Sequence, residues 1–355
     1  MKVLLLSTNL DLPEAYLIRG LKEKGLQITL VLGRSSPFLE VLEGTGIEII
    51  YWNFKYRIHP ASALFVRKLM LKEKFDIIHT FNARALTSAL LAAISLPVKQ
   101  VTYRGTTGHL SRFDPAAWLS YFHPRVNKIL CVSEAVKKYL HSKGISENKL
   151  CRIYKGHAPA WYAISENVNR QQYGFDKDEF LVACSANMRA VKGVDLLIQS
   201  LRFINKNIPL RLVLIGQVRD ERVLKLVEEN DWSDRVNFMG FRIDAASIVS
   251  VCDIFCMPSR KREGLPKALI EAMIQGIAPI VTNVGGMPEL VEHEVSGLVV
   301  KEESPQSIAD AIVKLYNNSD IRAAYAQAAK EKIIKQFSIT NTIEQTYQVY
   351  KEILA

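Results

Sequence analysis

The chain has 355 residues, of which 48% are hydrophobic and 23% charged, enough for two ordinary cores and too apolar for disorder. The net charge of +10 is lopsided: residues 1–165 hold 23 Lys and Arg against 11 Asp and Glu, and residues 166–355 hold 23 against 25. The first half is therefore expected to meet something anionic: a membrane surface, a phosphorylated substrate or nucleic acid.

"MKVLLLST" is too short for a signal peptide and reads as a first buried strand. Further strands are expected at "QITLVLG", "IEIIYWN", "DIIHTF", "KQVTYRG" and "KILCVS". Between most of them lie helix-period segments such as "PEAYLIRGLKEKG" and "EAVKKYLHSKG". The apolar run "ALTSALLAAISL" falls short of the roughly 20 residues of a spanning helix, so a soluble or at most peripheral, cytoplasmic protein is expected. The alternation lapses across "GHAPAWYAISENVNRQQYGFDKDEF", which is polar and carries Pro159. It resumes with "FLVACSA", "RLVLIG", "RVNFMG", "DIFCMPS", "APIVTN" and "GLVV", again separated by helices. Near-continuous apolar strands between helices imply parallel sheets covered on both faces. The fold class expected is α/β, with two doubly wound, Rossmann-like domains facing a cleft: residues 1–160, a linker 161–178, and residues 179–337. A last helix over 338–355 is capped by Ser338 or Thr340. The five cysteines form no CxxC pair and read as reduced core thiols.

The stretch "SRKREGLPKALIEAM" carries the chemistry. Glu263 lies in the loop after a buried strand, and Pro266 and Gly276 bound a helix from about Pro266 to Gln275. The free amides at that helix start form an anion site. Glu263 above it and Glu271 inside it make sense as two acceptors on one ligand, a sugar and a ribose flanking a diphosphate. An isolated E-x7-E is usually a solvated acid and a helix acid; the strand end, loop and proline around this one argue otherwise.

These residues resemble the retaining glycosyltransferases of family 4, with the two-domain GT-B fold. Glu263-Gly264-Leu265-Pro266 followed by Glu271-Ala272-Met273 matches the family's E-x7-E signature. The likeness continues through "APIVTNVGGMPELVEHEVSGLVV", "MRAVKGVDLLIQSL", "LVLIG" and "VNFMGF", and more loosely through "DIIHTFNARA" and "CVSEAVKKYL". The final "FS…TYQVYKEIL" matches a segment that in the family crosses back onto the first domain. The resemblance implies that Glu263 contacts the transferred sugar and that the backbone of Gly264, Leu265 and Pro266 contacts sugar and distal phosphate. Glu271 would take the ribose hydroxyls, and Lys192 with Arg189 would neutralise the departing diphosphate. Gly216 and Asn187 complete the implied donor site. The ligands implied are a nucleoside-diphosphate sugar and a glycan or lipid-linked acceptor, in cell-surface polysaccharide or lipopolysaccharide synthesis. No cofactor and no metal are expected.

Four departures stand out. Asn187 occupies the place where many relatives carry an arginine, and Arg189 follows it. "STNLDLPEAY" lacks the family's glycine pair, and with it any dinucleotide fingerprint. Arg104 replaces a histidine that touches the donor sugar in many relatives, with His109 five residues on. Arg104 is a candidate for an anionic acceptor or donor, and His109 for the missing contact or for an ordinary surface histidine. "IYKGHAPAWY" places Lys155 and His157 at the expected hinge without an assigned role. Asp176-Lys177-Asp178 spells a metal motif of another transferase fold, yet it sits ahead of a strand and reads as a polar turn.

On the acceptor side, "HPASALFVRKLMLKEKF" surrounds Leu64, Phe65, Leu69 and Leu71 with Arg67, Lys68, Lys72 and Lys74. Most of it reads as a helix covering the sheet, and the basic fringe suits an anionic leaflet. Nucleic acid is not expected, since no binding module appears. The alternatives are a catalytically silent protein on the same fold, or a nucleotide-sugar epimerase or phosphorylase.

Overall fold

The computed structural model describes residues 1–164 and 168–355. The chain divides into two compact units, Met1–Gly156 with Phe337–Ala355, and His157–Gln336.

The first unit is a seven-stranded parallel sheet of β1 (Lys2–Leu6), β2 (Gln27–Leu32), β3 (Glu48–Tyr51), β4 (Ile77–Thr80), β5 (Lys99–Arg104), β6 (Val126–Cys131) and β7 (Leu150–Arg152), in the order β3-β2-β1-β4-β5-β6-β7. β7 is too short to stand out in the sequence. Along β1 the period of two sorts Val3 and Leu5 into one core and Leu4 and Leu6 into the other. Both faces are therefore buried, which is why the strand reads as an unbroken apolar run. The helix Leu12–Glu23 starts on a capping box, with Asp11 and Glu14 satisfying each other's backbone amides. It packs against the last helix, Ile339–Leu354, whose N-cap is Ser338. Any side chain at Gly20 would collide with Ile343, so glycine is what permits this close crossing.

The second unit holds a six-stranded parallel sheet of β8 (Phe180–Ser185), β9 (Leu210–Ile215), β10 (Val236–Gly240), β11 (Ile254–Met257), β12 (Ala278–Thr282) and β13 (Leu298–Val300). Its order is β10-β9-β8-β11-β12-β13. Val182 and Cys184 enter one core, while Leu181 and Ala183 are buried on the opposite face. The stretch 161–178, expected as a linker, is built into this unit where it is described. Phe175 is buried, and the Arg170 guanidinium donates to Val251 O, Glu179 O and Asp253 Oδ1, contacts that polarity alone did not announce. Asp176 and Asp178 lie just before β8, at the amino end of this central strand and away from the carboxyl ends of the strands. Among the described residues, no helix is long and apolar enough to cross a membrane.

Candidate functional site

In each sheet the strand order reverses once, between β1 and β4 and between β8 and β11. Loops leaving the carboxyl ends of such a strand pair diverge, and the crevice between them is where ligands bind in open α/β sheets. In the second unit these are the loop from Ala186 to Gly193 and the loop from Pro258 to Pro266, and they carry the residues singled out in the sequence.

Lys192 Nζ donates to Glu263 Oε1 at 2.7 Å, and Ser259 Oγ donates to the same oxygen at 2.6 Å. The Glu263 side chain is 7% exposed and that of Lys192 is 20% exposed, so the pair is largely shielded from water. Ser259 is held in turn by Thr282 Oγ1, which donates to its carbonyl at 2.5 Å. The Glu263 carboxylate is thus fixed by two donors on Oε1, and Oε2 accepts no hydrogen bond from a described residue.

The backbone lets these loops approach. Gly193 (φ +65°) and Gly285 (φ +57°) adopt left-handed conformations, and a Cβ at either would collide with the carbonyl oxygen of Pro258 or Glu263 respectively. Gly216, just after β9, has φ +129° and would collide with Ala186 O. Only glycine meets both demands at these positions.

Arg260, beside Ser259, was passed over in the sequence. Its Nη1 and Nη2 grip Asp195 at 2.6 and 2.8 Å, Nη1 also donates to Ala190 O at 2.9 Å, and Nε lies 2.9 Å from both oxygens of Glu303. Hydrogen bonding to Asp195, set against partial burial, holds this guanidinium above its ordinary pKa. The only early signal was an arginine inside the quoted stretch; its partner lies 65 residues away.

The helix runs over Lys267–Ile274, with Pro266 as N-cap (ψ 119°) rather than first helical residue, and with Gly276 left-handed just past its end. Glu271 is half-buried on it and paired with Lys267 at 3.1 Å. Asn187 and Arg189 are exposed in the loop after β8; Asn187 Oδ1 accepts from Gln217 N at 3.4 Å. Arg189 has no carboxylate partner among the described residues and is available to an anion.

In the first unit, Arg104 does not project freely. Its guanidinium donates to Thr106 O at 3.1 Å and to Gly108 O, and lies 4.9 Å from the Tyr121 ring, so it braces its own loop. These bonds use Nε and one Nη2 donor and leave Nη1 without a described partner. His109 is exposed with φ +54°. Lys155 is half-buried between Asp11 and Glu14, 2.9 Å from Glu14 Oε1 and over the Tyr103 ring. Burial opposes its charge, yet Tyr103, Glu14 and Asp11 hold its pKa above the ordinary lysine value. His157 belongs to the second unit and shares a 2.6 Å hydrogen bond with Tyr162 Oη.

Two family models match the chain: "Glycosyltransferase Family 4" over residues 15–160 and "Glycosyl transferases group 1" over residues 165–332. The N-acetyl-alpha-D-glucosaminyl L-malate synthase of Bacillus anthracis is 27% identical over 332 residues, 91% of this chain and 79% of that protein. The UDP-Gal:alpha-D-GlcNAc-diphosphoundecaprenol alpha-1,3-galactosyltransferase of Escherichia coli is 21% identical over 353 residues, 93% of this chain and 92% of its own. Among solved structures, Anabaena HepE in complex with UDP superposes with a TM-score of 0.81 over 99% of this chain and 100% of the other, at 20% identity. That likeness establishes a shared fold.

Proposed function

Because this chain belongs to the glycosyltransferases, family 4 in its first part and group 1 in its second, we propose that it moves a sugar from a nucleoside-diphosphate sugar to a glycan or lipid-linked acceptor. Synthesis of cell-surface polysaccharide or lipopolysaccharide is the setting, without a metal and with retention of the anomeric configuration. The observation that carries the reading is the 2.7 Å contact between Lys192 and Glu263 at the strand-order reversal of the second sheet. The E. coli and B. anthracis relatives, named for transfer to a diphosphoundecaprenol-linked sugar and for malate glycosylation, support the class of reaction and leave the acceptor open.

In this reading Lys192 and Arg189 meet the charge that builds on the departing diphosphate, helped by the free amides at the start of the Lys267–Ile274 helix. Glu263 holds the sugar, the Gly264–Pro266 backbone its hydroxyls, and Glu271 the ribose; Gly216 and Asn187 border the nucleotide. The family resemblance implies that Glu263 binds the sugar ring away from the anomeric carbon, which disfavours it as a nucleophile. Front-face substitution remains. The C1–O bond to phosphate breaks, the acceptor oxygen bonds to C1 on the same face, and its proton passes to the departing phosphate oxygen.

Peripheral contact with an anionic leaflet is part of the proposal. It is supported by the charge excess of residues 1–165 and by the helix Pro60–Glu73, which exposes Leu64 and Leu71 beside Lys68 and Lys72. The inner face of the cell membrane is the expected site of action.

Proton NMR of the newly formed linkage tests the mechanism. The product should show the donor's anomeric configuration, and Glu263→Gln should bind the nucleoside diphosphate while transferring sugar poorly. An inverted product overturns the mechanism. Nucleotide binding without transfer to any acceptor would favour a catalytically silent protein.

A further inference from the structure

Lys192 stands at the end of a three-residue 3₁₀ turn, Ala190–Lys192, that has no side-chain cap and closes on the left-handed Gly193. So short a turn has little stability of its own, and a lysine on a flexible four-carbon stem is positioned only as well as the backbone beneath it. Something outside the turn must hold it.

Arg260 reaches it at three places. Its backbone N–H donates to Val191 O at 2.9 Å, inside the turn. Its Nη1 donates to Ala190 O at 2.9 Å, at the turn's start. Its planar fork grips Asp195, in the first turn of the helix Val194–Ser200 that follows. The bond to Val191 fastens the loop after β11 directly to the loop after β8. One residue before Arg260, Ser259 donates to Glu263, and Lys192 donates to the same oxygen. The Arg260 and Asp195 side chains are 20% and 17% exposed, so this ion pair is screened far less than a surface pair. Glu303 is 59% exposed and adds little.

We propose that Arg260 is a positioning residue for sugar transfer: with Asp195 it clamps the Lys192 turn to the Glu263 loop and sets the spacing of the two groups that face the diphosphate and the sugar. The inference rests on the transfer reaction proposed above. The guanidinium is engaged by Asp195, Ala190 O and Glu303, so in this proposal it acts through Lys192. Lysine would keep the charge but lose the two-pronged grip on Asp195 together with the bond to Ala190.

A double-mutant cycle tests this, using the sugar nucleotide the wild type turns over. Arg260→Met is expected to lower kcat about 10- to 100-fold, the scale of an ångström-sized misplacement, measured where the variant is still folded. Arg260→Lys should fall between, and Asp195→Asn should reproduce Arg260→Met. In the Lys192→Ala background, Arg260→Met should cost no more than about 3-fold further, because the residue it positions is gone. Independent, multiplied losses in the double variant, or wild-type kcat in Arg260→Met, overturn the proposal. Should Arg260→Met fail to fold, Asp195→Asn takes its place in the cycle.

Hydrogen exchange supplies a readout that needs no turnover. The amides of residues 190–195 should exchange faster in Arg260→Met or Asp195→Asn, while those of β8 keep their protection. Unchanged exchange overturns the clamp. A wild-type protein that binds nucleoside diphosphate but transfers nothing overturns the functional reading instead, and exchange alone then judges Arg260.

Discussion

In the proposed reaction Lys192 would act as charge develops, so its removal should appear in turnover more than in fold. Its side chain is 20% exposed and its ammonium lies 2.7 Å from Glu263, in the same loop crevice as the start of the helix Lys267–Ile274. Losing one preorganised charge partner of a leaving group typically costs about 100-fold in kcat, and Lys192→Ala is expected to lose at least that. Steady-state kinetics with a melting curve as control would check it; a folded variant with wild-type kcat would remove Lys192 from the mechanism. The site's residues were unevenly legible. Glu263, Pro266 and Glu271 share one short stretch, so local spacing exposed them. Arg260 looked like one cation in a basic run, because its meaning lies in an aspartate distant in sequence. Arg104 was legible as a lone arginine at a strand end, and only the folded loop shows that it also braces its own carbonyls.

Strand β4 and the last helix show what one element imposes on another. His79 on β4 is fully buried, with Nδ1 2.6 Å from Tyr350 Oη on the helix Ile339–Leu354. Burial depresses its pKa to about 3, against an ordinary value of 6.5. Between those values the unfolded chain binds the proton and the folded chain does not. Stability contributed by neutral His79 is therefore complete above about pH 6.5 and declines as pH falls towards 3, by about 1 kcal/mol per pH unit. Urea unfolding of the wild type and of His79→Gln at pH 7 and pH 5 should show a larger loss on acidification in the wild type. Equal losses would mean that the imidazole is solvated or charged in the fold. The strand itself was plain in "DIIHTF", since four buried residues between helices leave a continuous signal. Its histidine's environment was not, because Tyr350 lies 271 residues further on.

For the whole molecule, the proposal that a diphosphate is held by Lys192, Arg189 and helix amides predicts that transfer survives chelation. Activity assayed with excess EDTA should stay within about 2-fold of the untreated enzyme, since fixed protein charges and dipoles would replace the cation. Complete loss, restored by magnesium or manganese, would contradict it. The amino-acid sequence by itself determined the two parallel sheets, because strands buried on both faces must be apolar throughout and their connecting helices must carry a 3.6-residue period. It also determined which loop bears the paired glutamates, since strand, loop, proline and helix are consecutive. Only the tertiary structure decided what those residues touch. The reversal of strand order between β8 and β11 sets two loops side by side that are about seventy residues apart in the chain. The left-handed Gly193 lets them close, Gly285 lets the loop after β12 approach Glu263, and Lys192 pairs with Glu263 and Arg260 with Asp195 across the join. Such contacts depend on distances that no local pattern encodes, whereas periodicity is written into every turn of helix and every pleat of strand.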